Sequence, residues 1–207
     1  MRPVRLEVWS DYLCPWCHLA DHRLAMLKEE FGDDLELEFK SYLLRPRPEE
    51  RELEKFMRYT QSWMRPAGEP DAPTFRVWET TEGPPSHSVP AHLVAKAAAA
   101  IGAEAFEALH RRLLKAYFED NRDISALETL QAIWAEAGLD PDAFAAASNE
   151  PELAEETVSQ HNEAIELGIT GVPSVRVAGT SAFISGAQPT ETYRRWIERL
   201  RDGVLDT

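Results

Sequence analysis

The chain has two cysteines, and they stand three apart in Cys14-Pro15-Trp16-Cys17. A cross-link at this spacing closes almost no loop, so it adds little stability. It is instead a spacing at which one sulfur can attack a disulfide and the other can resolve the mixed disulfide that results. Pro15 suits the first turn of a helix, where its missing N–H would have had no partner. A cysteine just ahead of that turn faces unsatisfied backbone N–H groups and the positive end of the helix dipole, and both favour thiolate over thiol. Cys14, the outer residue, is the expected attacking thiol; Cys17, one turn inside, is the resolving one. Other readings of the same residues stay open. Cys14, Cys17, His18 and His22 are four possible zinc ligands, although zinc usually draws its ligand pairs from separate elements, about a dozen residues apart. Both cysteines could also be inert core residues. His18 is close enough along the helix to tune Cys17, and is otherwise an ordinary helix histidine.

The elements that must position this pair follow from periodicity. Residues 4–9 alternate, with Val4, Leu6 and Val8 on one face and Arg5, Glu7 and Trp9 on the other, which predicts a strand. Ala20, Leu24, Leu27 and Phe31 recur at helical spacing, and Gly32 ends that helix. Leu35, Leu37 and Phe39 alternate again, giving a second strand that runs towards Tyr42. Strand, helix and strand with a crossover of this length predict a right-handed βαβ unit. From Pro46 onward the strand signals disappear. Helices are expected from Leu53 to Tyr59, Ala91 to Ile101, Phe106 to Phe118 and Leu127 to Ala137. Val94, Ala97, Ala98 and Ile101 make one apolar stripe, and Phe106, Leu109, Leu113 and Tyr117 another. Pro66 to Pro73 and Gly83 to Pro90 read as loops. A last long helix, Leu153 to Leu167, carries Leu153, Thr157, His161 and Ile165 along one side and stops at Gly168. Gly171-Val172-Pro173 then leads into a strand, Ser174 to Val177, which Gly179 turns back into Ala182-Phe183-Ile184. Pro189 opens a final helix with Tyr193, Trp196, Ile197 and Leu200 inward. The expected class is α/β: a βαβ start and an αββα end, in residues 1–45 and 151–207, form two halves of one sheet around a helical insertion at 46–150.

Bulk properties narrow the partners. At 207 residues, 43% hydrophobic and 28% charged, the chain can bury a sizeable core. Its formal charge of −14 disfavours nucleic acid and anionic membranes as standing partners. No run approaches the ~20 apolar residues of a membrane span, and the basic N-terminus is not followed by the apolar stretch of a secretory signal, so the cytoplasm is the expected compartment. Two close cysteines also do not make a secreted disulfide framework.

Three stretches together resemble the DsbA-like thioredoxin superfamily, and especially its FrnE-type branch: Ser10-Asp11-Tyr12-Leu13-Cys14-Pro15-Trp16-Cys17, Gly168-Ile169-Thr170-Gly171-Val172-Pro173-Ser174, and Ser185-Gly186-Ala187-Gln188-Pro189. Weaker echoes are Ser88-Val89-Pro90-Ala91-His92, Ala116-Tyr117-Phe118 and Asp123-Ile124-Ser125. The resemblance implies a thioredoxin fold interrupted by a large α-helical insertion, a catalytic Cys14–Cys17 pair with Pro15, Trp16, His18 and Asp11 around it, and a cis proline at Pro173. It implies that the Val172 backbone receives the substrate by strand-like pairing beside Cys14. No metal or resident cofactor is expected beyond the redox-active disulfide; glutathione is a possible co-substrate. The partners implied are protein or small-molecule thiols and disulfides, with the chain acting as monomer or homodimer.

Two departures from the pattern bear on the chemistry. Pro15-Trp16 replaces the Pro-His of the periplasmic oxidants, which removes a thiolate-holding histidine. Thioredoxins also carry a buried acid on the first strand; Val8 occupies that place here, leaving Asp11 or Glu7 as substitutes. The alternative function is a glutathione-dependent isomerase or transferase, related to 2-hydroxychromene-2-carboxylate isomerases or kappa-class transferases. Those enzymes generally keep a serine at the Cys14 position and no second cysteine. A non-enzymatic alternative is a zinc-stabilised or peptide-binding module with His92, Trp63 and Trp78 lining a groove. His92 is the one insertion residue expected at the substrate site.

Overall fold

The computed structural model describes residues 3–147 and 150–203. Its strands are β1 (Val4–Ser10), β2 (Leu35–Ser41), β3 (Ser174–Val177) and β4 (Phe183–Ser185). Its helices are α1 (Pro15–Phe31), α2 (Leu53–Thr60), α3 (Met64–Ala67), α4 (Val89–Ile101), α5 (Ala103–Phe118), α6 (Leu127–Glu136), α7 (Pro141–Ala147), α8 (Pro151–Glu166) and α9 (Thr190–Arg201). The strands form one sheet in the order β2-β1-β3-β4. β2 runs parallel to β1, with Val4 opposite Leu35 and Ser10 opposite Ser41. A parallel neighbour needs a crossover, and α1 supplies it. β3 returns antiparallel to β1, Leu6 opposite Val177, and β4 pairs antiparallel with β3. The α/β class expected from the sequence is the one the chain adopts. Among the described residues no helix is long and apolar enough to cross a membrane.

β1 is covered on both faces beyond Arg5, so Glu7 and Trp9, opposite Val4, Leu6 and Val8, are buried as well. Val4, Leu6 and Val8 pack with Leu24 and Leu27 of α1 and with Tyr193 and Ile197 of α9. On the other face α8 closes over the strand. Trp9 clusters with Ala164 and Ile169, and its indole N–H donates to the Gln160 carbonyl at 3.0 Å. Glu7 is buried between Lys40 at 2.8 Å and Arg176 at 2.6 Å. Beyond Arg5, which stays exposed near the strand's start, this central strand has no solvent face, so its alternation sorts two interiors.

The helical segment builds a second apolar cluster around Trp63, Trp78, Leu113, Tyr117, Phe118 and Trp134. Trp63 and Trp78 are therefore core residues and line no groove. α3 runs two residues into the Pro66–Pro73 stretch read as a loop, and α7 was unanticipated because seven alanine-rich residues carry no stripe; Asp140 caps the latter by accepting from the Asp142 N–H at 3.0 Å. α4 begins at Val89 and α5 at Ala103, earlier than periodicity alone places them.

Two stripe residues face solvent. Ile101 is 57% exposed because α4 ends there and Gly102 alone links it to α5. Ile165 is 52% exposed for a geometric reason. Steps of four residues advance about 40° per step around a helix, so a run of three such steps from Leu153 has rotated roughly 120° away. The buried positions on α8, Thr157 and Ala164, are seven apart and lie within about 20° of each other.

The fully buried guanidinium of Arg23 on α1 joins segments from both parts of the chain. It pairs with Glu69 and Asp71 and donates to the carbonyls of Ala187 and Gln188. The hydrogen bond from Arg23, with help from the Thr190 hydroxyl and against partial burial, holds the Asp71 carboxyl down at about 2.

Candidate active site

β1 stops at Ser10, and a tight turn follows in which the Cys14 N–H donates to the Asp11 carbonyl at 3.0 Å. Cys14 then caps α1 from an extended conformation (φ −95°, ψ 114°), with Pro15 filling the first turn. The Cys14 Sγ accepts from the Cys17 N–H at 3.3 Å, while its carbonyl takes the N–H groups of Cys17 and His18 at 3.0 and 3.2 Å. An orphan donor of the helix start is thus aimed at the sulfur, which is the arrangement that favours negative charge there. Both cysteines are free thiols, 5% and 1% exposed. Trp16 between them is half-exposed.

The two thiols differ in their surroundings. Burial pushes the Cys17 thiol well up and the neighbouring Cys14 sulfur adds to this; the Asp11 backbone and the Ser10 hydroxyl act in the other direction without prevailing. Cys17 is therefore protonated at neutral pH in the reduced protein. Cys14, in contrast, meets the rest of the fold through its sulfur, which donates to the Val172 carbonyl at 3.5 Å. The Val172–Pro173 peptide bond is cis. The loop that carries it is held by the Ser174 hydroxyl donating to the Gly171 carbonyl at 2.9 Å and by the Gly186 N–H donating to the Pro173 carbonyl at 2.8 Å. The structure thus brings Cys14, Cys17 and the Val172-Pro173 loop together from opposite ends of the chain.

Asp11 is fully buried beneath this turn. Its carboxylate accepts from the Leu13 N–H at 2.6 Å and the Leu44 N–H at 2.8 Å, so it fixes the approach to Cys14 and ties it to the segment after β2. Glu7, the other candidate acid, is committed elsewhere: burial alone would raise its pKa, but the hydrogen bonds from Arg176 and Lys40 outweigh burial and keep it ionised. His18 turns into an aromatic pocket. Its ring stacks on Phe118 with centroids 4.9 Å apart, meets Phe75 edge-on at 5.0 Å, and faces the Thr74 carbonyl at 3.4 Å. Burial lowers its pKa to about 4, so it is a neutral packing residue that docks α1 onto the helical segment. His92 lies edge-on to Tyr12, with Nε2 3.8 Å from the Asp11 carboxylate, and borders a cavity of about 500 Å³ between β2 and the helices α4 and α8. Among the described residues no three His, Cys, Asp or Glu side chains converge as metal ligands.

The sequence reading missed a buried relay behind the same turn. The Tyr12 hydroxyl and His110 Nδ1 are 2.7 Å apart, and His110 Nε2 is 2.7 Å from the Asp21 carboxylate. Tyr12 and His110 are 98 residues apart, so no local pattern reveals the pairing. Tyr59 was also missed; with Leu13, the residue before Cys14, it lines a cavity of about 650 Å³.

Residues 5–198 match the DSBA-like thioredoxin domain. The chain belongs to that family. The DSBA-like assignment makes it a member of a family of redox enzymes that act on thiols and disulfides. A solved structure from Nitrosomonas europaea, provisionally named a protein disulfide isomerase, superimposes with a TM-score of 0.82 at 17% identity, covering 97% of this chain and 98% of that one. The cytosolic disulfide reductase DsbM of Pseudomonas aeruginosa superimposes at 0.74 with 22% identity, covering 97% and 98%, and has also been solved with GSH. A 2-hydroxychromene-2-carboxylate isomerase shares the DSBA-like architecture at 0.66 and 21% identity, covering 98% and 100%. At these identities the likeness is one of fold. No sequence among curated proteins matches the chain.

Proposed function

We propose that this DSBA-like protein is a thiol–disulfide oxidoreductase of the FrnE-type branch, with Cys14 as nucleophile, Cys17 as resolving thiol and the Val172-Pro173 loop as the substrate-binding edge. The observation that carries this reading is the position of Cys14 Sγ, at the cap of α1 and against the Val172 carbonyl. In the reducing direction the Cys14 thiolate attacks a substrate sulfur; the Cys14–substrate S–S bond forms as the substrate S–S bond breaks, and the first substrate thiolate leaves and takes a proton from solvent. Cys17 then gives up its proton and attacks Cys14 Sγ. The intramolecular disulfide forms, the second substrate thiolate leaves, and two electrons have passed from the dithiol to the substrate. The raised pKa of Cys17 keeps it from competing for the first attack. Residues 46–150, in this reading, form an insertion that covers one side of the site. Glutathione is the proposed co-substrate and the cytoplasm the proposed compartment, both in keeping with the neighbour DsbM, named as cytosolic and solved with GSH.

Equilibration in glutathione redox buffers, followed by alkylation and intact-mass counting, tests the pair directly. A reversible two-thiol transition is expected, and Cys14→Ser should abolish exchange with a small disulfide. Exchange unchanged in Cys14→Ser refutes the reading. The midpoint assigns the direction of flow: near about −270 mV a thioredoxin-like reductant, near about −120 mV a strong oxidant. The fold shared with the isomerase supports a second reading, glutathione-dependent isomerisation. Isomerising activity that survives Cys17→Ser would favour it.

A further inference from the structure

When Cys17 attacks Cys14 Sγ it has to shed a proton from a closed setting. Its side chain is 1% exposed, and burial pushes its pKa well up. A substrate joined to Cys14 occupies the side of the Val172-Pro173 loop, so the proton needs a route to solvent elsewhere. The nearby carboxylates are committed. Glu7 pairs with Lys40 and Arg176, and the Asp11 carboxylate accepts from the Leu13 and Leu44 N–H groups. Besides Cys14, the groups set against the Cys17 sulfur are the Asp11 backbone and the Ser10 hydroxyl. Of these two, the hydroxyl is the one that can both accept a proton and pass one on.

Ser10 is the last residue of β1, and it also borders a second space. With Tyr12 and His92 it lines the cavity of about 500 Å³ between β2, α4 and α8. Tyr12 and His92 are buried and Ser10 is half-buried, whereas Glu38, Ala99, Ala100 and Glu156 on the same wall are exposed. The cavity therefore runs from solvent to the back of the turn between β1 and α1. Its volume is far more than one water needs, and its inner end is polar. There the buried His92 Nε2 has no hydrogen-bond partner among the described residues. The main chain of Ser10 carries the structural role, since its carbonyl accepts from the Tyr42 N–H at 3.0 Å. That leaves the hydroxyl to the sulfur on one side and the cavity on the other.

We propose that Ser10 is the proton relay of the resolving step, passing the Cys17 proton to water in this cavity. The inference rests on the oxidoreductase reading above and adds a residue to that site. As the Cys17–Cys14 S–S bond forms and the Cys14–substrate S–S bond breaks, the Cys17 proton moves to Ser10 Oγ. The Ser10 hydroxyl proton moves in turn to a cavity water and on to solvent. The departing substrate thiolate takes up a proton on its own side, so protons and charge balance. The hydroxyl and its water stand in for the buried acid whose place on β1 is taken by Val8.

Reduced protein mixed with dithiobis(nitrobenzoate) releases one thionitrobenzoate as Cys14 attacks and a second as Cys17 resolves, so stopped-flow absorbance times both steps in one trace. Ser10→Ala should leave the first phase within about twofold and slow the second by roughly tenfold or more, the scale of a positioned proton transfer. Ser10→Thr keeps the hydroxyl and should restore most of the second phase. The first phase also shows that each variant is folded. A second phase unchanged in Ser10→Ala overturns the proposal. Equal slowing of both phases overturns it as well, by making Ser10 a packing residue, and so does a Ser10→Thr variant no faster than Ser10→Ala. Failure of the underlying reading looks different: Cys14→Ser would then release thionitrobenzoate at the wild-type rate.

Discussion

His18 shows how a residue next to a reactive motif can be structural. It follows Cys17 directly, yet its ring is sandwiched between Phe118, Phe75 and the Thr74 carbonyl, and burial depresses its pKa to about 4. An unfolded histidine titrates near about 6.5. Below that pH the unfolded chain takes up a proton that the folded one refuses, so the stability this residue contributes is complete above about 6.5 and is lost as pH falls towards 4. The full difference is on the order of 3 kcal/mol. His18→Phe keeps an aromatic ring in the pocket and should flatten the acid limb of a stability profile between pH 6.5 and 4. An unchanged limb in urea melts across that range would show that His18 is already protonated in the fold.

At the scale of elements, the turn between β1 and α1 is held from two directions. Asp11 caps it through the Leu13 and Leu44 N–H groups, and Tyr12 reaches across to α5 through His110, which in turn faces Asp21 on α1. The relay therefore locks the insertion helix α5 to both sides of the cysteine motif. Removing its middle leaves a buried hydroxyl without a partner and opens a cavity, and each unsatisfied buried group costs about 1–3 kcal/mol. His110→Ala should accordingly lose about 2–4 kcal/mol of stability and also slow disulfide exchange, because the Cys14 cap loses its support. Denaturant unfolding paired with exchange rates checks this. A loss of stability with no change in rate would make the relay a packing device alone.

At the scale of the molecule, a sheet core and a helical core must be fastened together, and Arg23 does much of this. It ties α1 to the 69–71 segment of the helical part and to the carbonyls that precede α9. Its acidic partners are 37% and 30% exposed and can recover water if it is removed, so the loss is smaller than for a fully buried pair. Arg23→Met should destabilise the protein by about 1–3 kcal/mol. The oxidised and reduced forms should be affected alike, since the arginine touches neither thiol. Urea titration of both redox forms provides the comparison.

The sequence by itself determined the local parts. Alternation in 4–9 and 35–39, the helical recurrence from Ala20 to Phe31, and the proline after Cys14 specify strand, helix and cap, because each depends on neighbours within one or two turns. The cysteine pair was legible for the same reason: its chemistry depends on a spacing of three residues and a helix start. Only the tertiary structure decided the rest. Alternation puts Glu7 and Trp9 on the face opposite Val4, Leu6 and Val8, but that this face is also buried is decided by α8, some 150 residues later. Ile165 continues the four-residue spacing from Leu153, yet the helix turns it to solvent. Val172 comes against Cys14 across 158 residues, and Tyr12 meets His110 across 98. Contacts of this separation leave no periodic trace in the chain, because they are set by how whole elements pack and not by the residues beside them.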